Sequence, residues 1–502
     1  MSNIKKFAGQ TAIYGLSTVI SRVLGFLLTP LYVSLYPART YGVFTVLYSW
    51  ASILNAMLAF GMETTFFRYL NKSGTDKEKV YNNAFIVVMM LAGLFIMTAF
   101  LFSERIAAWM VTDQTTSLAD YAQYVKLFIL ILAVDALAVI PFSRLRAEGR
   151  PLKFGMIKIA NIASFVGFNL FMLLAVPAII EKNLMFADYF REWYRPGWLG
   201  YVFISNLVAS GVTLVLLIPE LMKVRFKMDR PLLLDMLNYS FPILIANLSF
   251  IINENSDKIF LKELLPESIA EQDAGIYGAC AKLAIFLSIF IQAFRLGAEP
   301  FFFSHAKNKN SGETYATIMN YFVIAISLIF VGIAANMEIL KHFISAKDPI
   351  QRELYWSGLK IVPVLLFGYV SLGIYMNLSI WYKLSDQTRY GLYISGVGAL
   401  MTIILNIVFI PKYSYVASAW ISFAAYSTMM ILSYLLGQKH YPIPYHVGKA
   451  IAYLLSAAVI VTISYQFFDK SLIAGNILFV LFALSAIYVE RKDLQKILSG
   501  KI

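Results

Sequence analysis

The chain has a single cysteine, Cys280, and only four histidines, His305, His342, His440 and His446. One thiol excludes an internal disulfide, and no Cys or His grouping is spaced to hold zinc or an iron–sulfur cluster. H-E-x-x-H and G-x-x-x-x-G-K-[ST] are both missing, which excludes a metalloprotease or a phosphate-loop ATPase of those kinds. Charge is scarce too. Only 14% of the 502 residues are Asp, Glu, Lys or Arg, against about 25% in an ordinary soluble domain. Long polar segments are also lacking, so no connection has room for a soluble catalytic lobe.

What fills the space is apolar. Hydrophobic residues make up 59% of the chain, and the mean hydropathy is +0.68. That excludes a soluble enzyme, a disordered chain and a nucleic-acid-binding module. The net charge of +13 fits basic loops facing anionic lipid headgroups, not nucleic acid.

A helix needs about 20 mostly apolar residues to cross the hydrocarbon core. Fourteen such stretches are present, at 8–35, 41–69, 81–103, 119–144, 153–180, 198–221, 232–258, 274–304, 314–344, 352–382, 389–411, 414–437, 446–468 and 472–490. The first follows Lys5-Lys6 but has no A-x-A-like cleavage site, and reads as an uncleaved span. Helices are favoured because unpaired backbone groups in lipid are expensive, and the alternation of a barrel is absent. The expected class is therefore all-α, polytopic, with fourteen transmembrane helices. The N-terminus, even-numbered loops and C-terminus carry 24 Lys and Arg, and the odd-numbered loops 12. This bias predicts that both termini are cytoplasmic.

The chain repeats itself at an offset of 236 residues. Tyr41 to Phe67 aligns without a gap on Tyr277 to Phe303, with nine of 27 positions identical. Gly61, Glu63, Phe66 and Phe67 meet Gly297, Glu299, Phe302 and Phe303. Six spans separate the copies, which makes the repeat parallel and predicts two six-helix lobes around a central cavity. The expected division is 1–230 for the first lobe, 231–440 for the second, and 441–502 for two extra helices and a tail.

Three passages carry a family resemblance. Ser21-Arg22-Val23-Leu24-Gly25-Phe26 resembles a stretch of lipid II flippases. Arg144-Leu145-Arg146-Ala147-Glu148-Gly149-Arg150 resembles a turn that closes the fourth span. Asn406 to Pro411, Tyr413 and Ala417-Ser418-Ala419 resemble a further family passage, in which Ser414 and Val416 stand where glycines are usual. Together they resemble the oligosaccharide-flippase, or polysaccharide-transporter, family of the superfamily that also holds multidrug and toxin extrusion antiporters and lipid II flippases. The resemblance implies flipping of a polyprenyl-diphosphate-linked sugar, with the prenyl chain along a groove at spans thirteen and fourteen.

Ionisable groups inside spans are costly and should face a cavity or a partner. Arg22 lies about 14 residues into its span, roughly 21 Å along the helix. A guanidinium fork suits diphosphate, and the alternative is an ion pair between lobes. Arg295 has Glu299 four residues on, so it either binds substrate or closes an internal salt bridge. Lys282 shares that span. Lys126 and Lys360 lie at similar depths, lining an outward vestibule or snorkelling. Lys158, near the start of its span, reads as interfacial.

Among the acids, Asp135 is surrounded by aliphatic residues. It needs a partner from another span, a cation or a proton. Glu63 and Glu299 are repeat-equivalent and read as helix-end structure or an inner gate. Glu254 and Asp257 cluster with Asn253 and Asn255 at the end of span seven, as an interfacial group or as a cation site or outer gate.

The function expected is export of a lipid-linked oligosaccharide from the inner to the outer leaflet of a bacterial cytoplasmic membrane, without enzymatic activity. No organic cofactor or metal is expected, and the coupling candidate is a sodium ion or proton. Membrane lipids and a polysaccharide polymerase or glycosyltransferases of the same pathway are the expected partners. The rivals are a cation-coupled multidrug exporter on the same fold, and a membrane polymerase or ligase.

Overall fold

The computed structural model describes residues 15–498, apart from 18, 73–74, 112–115, 306–309 and 386; at 296–297, 299–300, 303–305, 492–494 and 496–498 it describes the backbone alone. Among the described residues there are helices and no strands. The long ones are α1 (Gly15–Leu35), α2 (Ala38–Leu70), α3 (Lys77–Leu101), α4 (Leu118–Ala147) and α5 (Pro151–Glu181). They continue as α6 (Gly200–Leu216), α7 (Arg230–Leu264), α8 (Glu267–His305), α9 (Ser311–Ala335) and α10 (Pro349–Leu384). A 52-residue helical run, Arg389–His440, is broken at Ser414 into α11 (389–413) and α12 (415–440). Helices α13 (Val447–Phe467) and α14 (Leu472–Leu498) complete the chain.

Twelve helical runs among the described residues are long and apolar enough to cross a membrane, counting Arg389–His440 once. At 17 residues, α6 is shorter. Each of the fourteen apolar stretches overlaps one of the helices named above, the first over residues 15–35, since its residues 8–14 lie outside the described residues. A count of fourteen crossings therefore turns on α6 and on the Ser414 break.

Helix starts follow from local chemistry. Asp76, Ser117, Asp229 and Asp348 each accept a backbone N–H in the first turn of the helix they precede, satisfying donors that the helix leaves open. Interruptions have causes as well. α5 widens into a π-turn at Phe171–Ala175, just ahead of Pro177, where the missing proline N–H removes a normal helical bond. α2 breaks at Phe60 and Gly61, both left-handed (φ 49° and 67°). There Ser240 on α7 donates to the Phe60 carbonyl. A Cβ on Gly61 would sit 3.0 Å from the Ser240 carbonyl oxygen, so glycine meets both the steric and the dihedral demand. The repeat-equivalent stretch of α8 continues as helix.

The chain forms two compact units, Met1–Gly275 and Ile276–Ile502. This boundary lies inside α8 and beyond residue 230, where the sequence repeat placed the division. In the first unit α7 packs against α2, α4 against α3 and α6, and α5 against α6. In the second, α10 runs along the α11–α12 pair, and α9 carries α13 and α14 on its other side. Asn336 at the end of α9 and Asn476 on α14 exchange amide hydrogen bonds of 3.2 and 3.1 Å. Lys449 and Tyr453 on α13 bond both oxygens of the buried Glu490 on α14, at 2.6 and 2.9 Å.

Candidate functional site

The first unit brings together several of the intramembrane charges. Arg22 is exposed on α1. Its neighbour Ser21 donates to the Ser17 carbonyl oxygen at 2.9 Å and comes within 3.5 Å of the Lys158 carbonyl oxygen on α5. Lys158 is half-buried, with its ammonium 4.4 Å from the centre of the Phe142 ring, a cation–π contact. Its charged neighbours are Asp135, Glu63, Arg22 and Arg146. Lys158 therefore stands within the charge cluster. The aromatic pair Phe142 and Phe154 draws it inward.

Asp135 finds partners on other helices, as its lack of a local base required. It accepts from Ser210 Oγ on α6 at 2.7 Å and feels the charge of Lys158 on α5. Beside it Asn206 donates to the Tyr48 hydroxyl at 2.9 Å, and Asn161 donates to Ala209 O and Thr213 Oγ1 at 3.0 and 2.9 Å. Glu63 pairs with Arg146.

Glu254 has Lys258, Arg22 and Asp257 as charged neighbours. Asn253 and Asp257 are buried, at 1% and 3% exposure, and Lys258 bonds Asp257 Oδ1 at 2.9 Å and Glu254 O at 3.0 Å. This group lies within α7, which runs on to Leu264. The first unit thus sets Arg22, Lys158 and Arg146 against Glu63, Asp135 and Glu254, a balanced set and not a purely cationic wall.

The second unit is different. A narrow pocket between α8, α9 and α10 is lined by Arg295, Lys383, Asn377 and Ser379 with the aromatic rings of Phe294, Phe302 and Phe322. Arg295 is exposed and Lys383 half-buried. The side chain of Glu299, whose pairing with Arg295 was one of two alternatives, lies outside the described residues. Lys282 is half-buried on the same helix, about 20 Å from Arg295 at the usual helical rise. Lys360 is exposed in a 3₁₀ turn, its ammonium 5.4 Å from the Tyr415 ring centre. Lys126, in the first unit, is half-buried on α4 and makes no ion pair among the described residues. Lys383 and Asn377 carried no signal in the sequence, one being at a span end and the other neutral.

Just beyond the end of α6 one further cluster is pinned. Glu220 is fully buried, and Lys153, Lys223 and Arg150 reach its carboxylate at 2.9, 2.6 and 3.4 Å. Burial alone would raise this carboxyl, but the hydrogen bonds and charges of Lys223 and Lys153 hold it below the ordinary glutamate value. The cluster ties the α4–α5 turn to the end of α6. Among the described residues no group of three or more His, Cys, Asp or Glu is placed to hold a metal ion.

Two apolar grooves border α13. One encloses about 270 Å³ between α9, α10, α12 and α13, with His446 and Tyr445 in its lining. The other, about 600 Å³, separates α13 from α14, with Lys449 in its lining.

Known proteins share this architecture. The chain resembles a lipid II flippase, MurJ, in an inward closed conformation, with a TM-score of 0.68 and 14% identity over 96% of this chain and 99% of that one. It also resembles a multidrug resistance MATE family transporter of the MOP superfamily in an inward-facing conformation, with a TM-score of 0.65 and 13% identity over 85% and 97%. A MOP superfamily transporter from Pyrococcus furiosus, described as having a binding pocket of reversed polarity, gives 0.53 and 13% over 91% and 97%. These likenesses establish the fold, that of multi-pass membrane transporters. No curated protein matches the chain by sequence. The model of the polysaccharide biosynthesis protein family matches residues 7–304. With more than half its length matched in this way, the chain belongs to the polysaccharide biosynthesis protein family.

Proposed function

We propose that this protein flips a polyprenyl-diphosphate-linked oligosaccharide from the cytoplasmic to the outer leaflet by alternating access, and catalyses no covalent step. The observation that carries the reading is the placing of intramembrane cations in each unit, Arg22 and Lys158 in the first and Arg295 and Lys383 in the second, within a transporter fold whose family serves polysaccharide biosynthesis. Guanidinium and ammonium groups on different helices suit a diphosphate, which offers acceptor oxygens over a span of several ångströms. The prenyl chain would follow the grooves along α13, which are apolar and border lipid.

The Lys and Arg bias supports cytoplasmic termini, and the membrane proposed is a bacterial inner membrane. Two negative charges moving outward gain about 4–5 kcal/mol per 100 mV of inside-negative potential, so the potential supplies drive without ATP. Asp135, Glu63, Glu254 and Asp257 are the groups available for a counter-moving sodium ion or proton. Membrane lipids, a polymerase and glycosyltransferases of the same pathway are the proposed partners.

A cation-coupled multidrug exporter is the second reading, favoured by the likeness to the MATE transporter. An organic cation would be repelled by the Arg295 and Lys383 pocket. The test is leaflet reorientation of a fluorescent diphosphate-linked sugar in proteoliposomes, run beside uptake of cationic drugs. Reorientation by the native chain and its loss in Arg22→Ala and Arg295→Ala supports the first reading. Drug uptake without reorientation replaces it with the second.

A further inference from the structure

We propose that the pocket between α9, α10, α12 and α13 binds an uncharged glycerol ester, a monoacylglycerol, which enters sideways from the bilayer and closes the amide of Asn320. The inference concerns a second ligand and does not rest on the flippase reading.

Asn320 carries the argument. It is 8% exposed and lines the pocket, yet its side-chain oxygen is buried with no hydrogen-bond partner among the described residues. Buried polar atoms are nearly always paired, so an orphan calls for a partner that the chain does not supply. The two ends of an amide are alike in shape, and the bonds it makes decide which end faces where. A water is a poor answer. A buried water takes about three hydrogen bonds, and the remaining lining from α9 and α10, Ala316, Met319, Val323, Ile374 and Leu378, is apolar. A prenyl chain is no better, because pure hydrocarbon has neither donor nor acceptor.

The rest of the lining describes the ligand. Among the described residues it contains no Asp, Glu, Lys or Arg, so a charged headgroup would lose its hydration there and gain no countercharge. At about 270 Å³ the space is at the small end of ligand pockets, roughly 300–1,000 Å³, and suits a small head with the first part of one chain. Ile431 on α12 and Ile451 on α13 belong to the lining and are 51% and 49% exposed. The way in therefore lies between those two helices, from lipid.

Polarity is graded along the pocket. Tyr445 and His446 stand at the head of α13. Ala316 packs in one cluster with Ile443 and Tyr445, which sets it at their level, and Asn320 is one turn further along α9, about 6 Å at the usual rise. Val323 on α9 and Leu454 on α13 lie beyond. The order is a polar end, one amide, then hydrocarbon. A monoacylglycerol has that order: free hydroxyls, an ester carbonyl, an alkyl chain. Its carbonyl accepts from the Asn320 amide N–H, and the hydroxyl beside the ester donates to the amide oxygen, so one ligand answers both ends. A fatty acid is anionic at neutral pH, and a simple alcohol has no second polar point to set against Tyr445 and His446.

The test uses the full chain purified in detergent. Binding of 1-lauroylglycerol is read by native mass spectrometry and by the rise it gives in the thermal unfolding midpoint, beside dodecane, 1-lauroylglycerol-3-phosphate and geranylgeraniol. The native chain is expected to take up one 1-lauroylglycerol, with dodecane and the phosphate at least about tenfold weaker. Asn320→Leu is expected to weaken 1-lauroylglycerol about tenfold and to raise the midpoint of the ligand-free protein, because an unpaired buried amide is removed. Ala450→Phe, which fills the pocket, should abolish binding. Should Asn320→Leu fail to fold, Ala450→Phe decides, and undiminished binding there overturns the site. Equal affinity in the native chain and Asn320→Leu, or dodecane held as tightly as the ester, overturns the proposal, as does a native chain that binds no 1-lauroylglycerol. Geranylgeraniol bound in preference to the ester overturns it too and returns the pocket to the prenyl path. Leaflet reorientation of the diphosphate-linked sugar, measured on the same preparations, stands or falls separately.

Discussion

Gly42 on α2 and Gly275 on α8 meet backbone to backbone. A Cβ built on Gly42 would lie 1.8 Å from the Glu271 carbonyl oxygen, and one on Gly275 would lie 1.8 Å from the Ala38 carbonyl oxygen. Real Cβ atoms do not approach so closely, so the two glycines hold the helices together by lacking a side chain. Beside the crossing, Tyr121 donates to the buried carboxylate of Glu271, and Arg39 donates to the Ser268 carbonyl.

Gly42→Ala and Gly275→Ala are each expected to force these helices apart. Overpacking of this kind costs about 1–3 kcal/mol or more. The thermal unfolding midpoint of the purified protein should fall, and a cysteine pair at Ala38 and Glu271 should lose its crosslinking yield. An unchanged midpoint in both variants would remove the crossing as a stabilising contact.

Acid should loosen the Glu220 cluster. The folded carboxyl titrates below the ordinary glutamate value, so its stabilisation is complete above that value and disappears as pH falls through the folded one. Glu220→Gln leaves Lys153, Lys223 and Arg150 around a neutral amide. Because these bases are 30–50% exposed, water screens part of the effect, and about 1–3 kcal/mol is expected. The check is the unfolding midpoint against pH. Native protein should lose stability on acidification, and the variant should start lower and show a flatter profile.

Ser414 has φ 50° and ψ −139°, a region populated mainly by glycine, where another residue stores about 1–3 kcal/mol. Ser414→Gly is expected to keep the break and raise the unfolding midpoint, whereas Ser414→Val, branched at Cβ, should lower it. The sequence already marked this position as one where relatives place glycine. The backbone shows that the bend persists despite the serine.

Lys158 and Arg22 should act as a unit. Lys158→Gln is expected to reduce leaflet reorientation at least tenfold, with Lys158→Arg retaining most of it. The Arg22→Ala, Lys158→Gln double variant should fall little below the worse single one, because both face the same charge cluster. Additive losses in the double-mutant cycle would place the two residues in separate roles.

The helices were legible because lipid leaves so few choices. Apolar runs of the right length fold as helix, and the repeat pairs Glu63 with Glu299 across 236 residues. Side-chain direction was far less legible. Distance along its helix says nothing of the Phe142 and Phe154 rings that Lys158 packs against. Distance along span seven placed Asn253 to Asp257 near its end, but could not show that Asn253 and Asp257 are buried or that Lys258 bonds Asp257. Gly42 and Gly275 show no pattern until two distant helices are laid side by side. Asn320 is uncharged and solitary, and only its unanswered amide oxygen reveals it.

The Asn336–Asn476 amide exchange has a consequence for the last two helices. It clips α14 to the end of α9, and Glu490 ties α13 to α14, so the hairpin rides on α9 as cargo on a carrier. A chain cut after α12 would keep its other helices but bare one flank of α9 to lipid, with the Asn336 amide stripped of its mate. Such a truncation should insert yet leave α9 poorly seated, and a lower unfolding midpoint than that of the full chain is the expected readout.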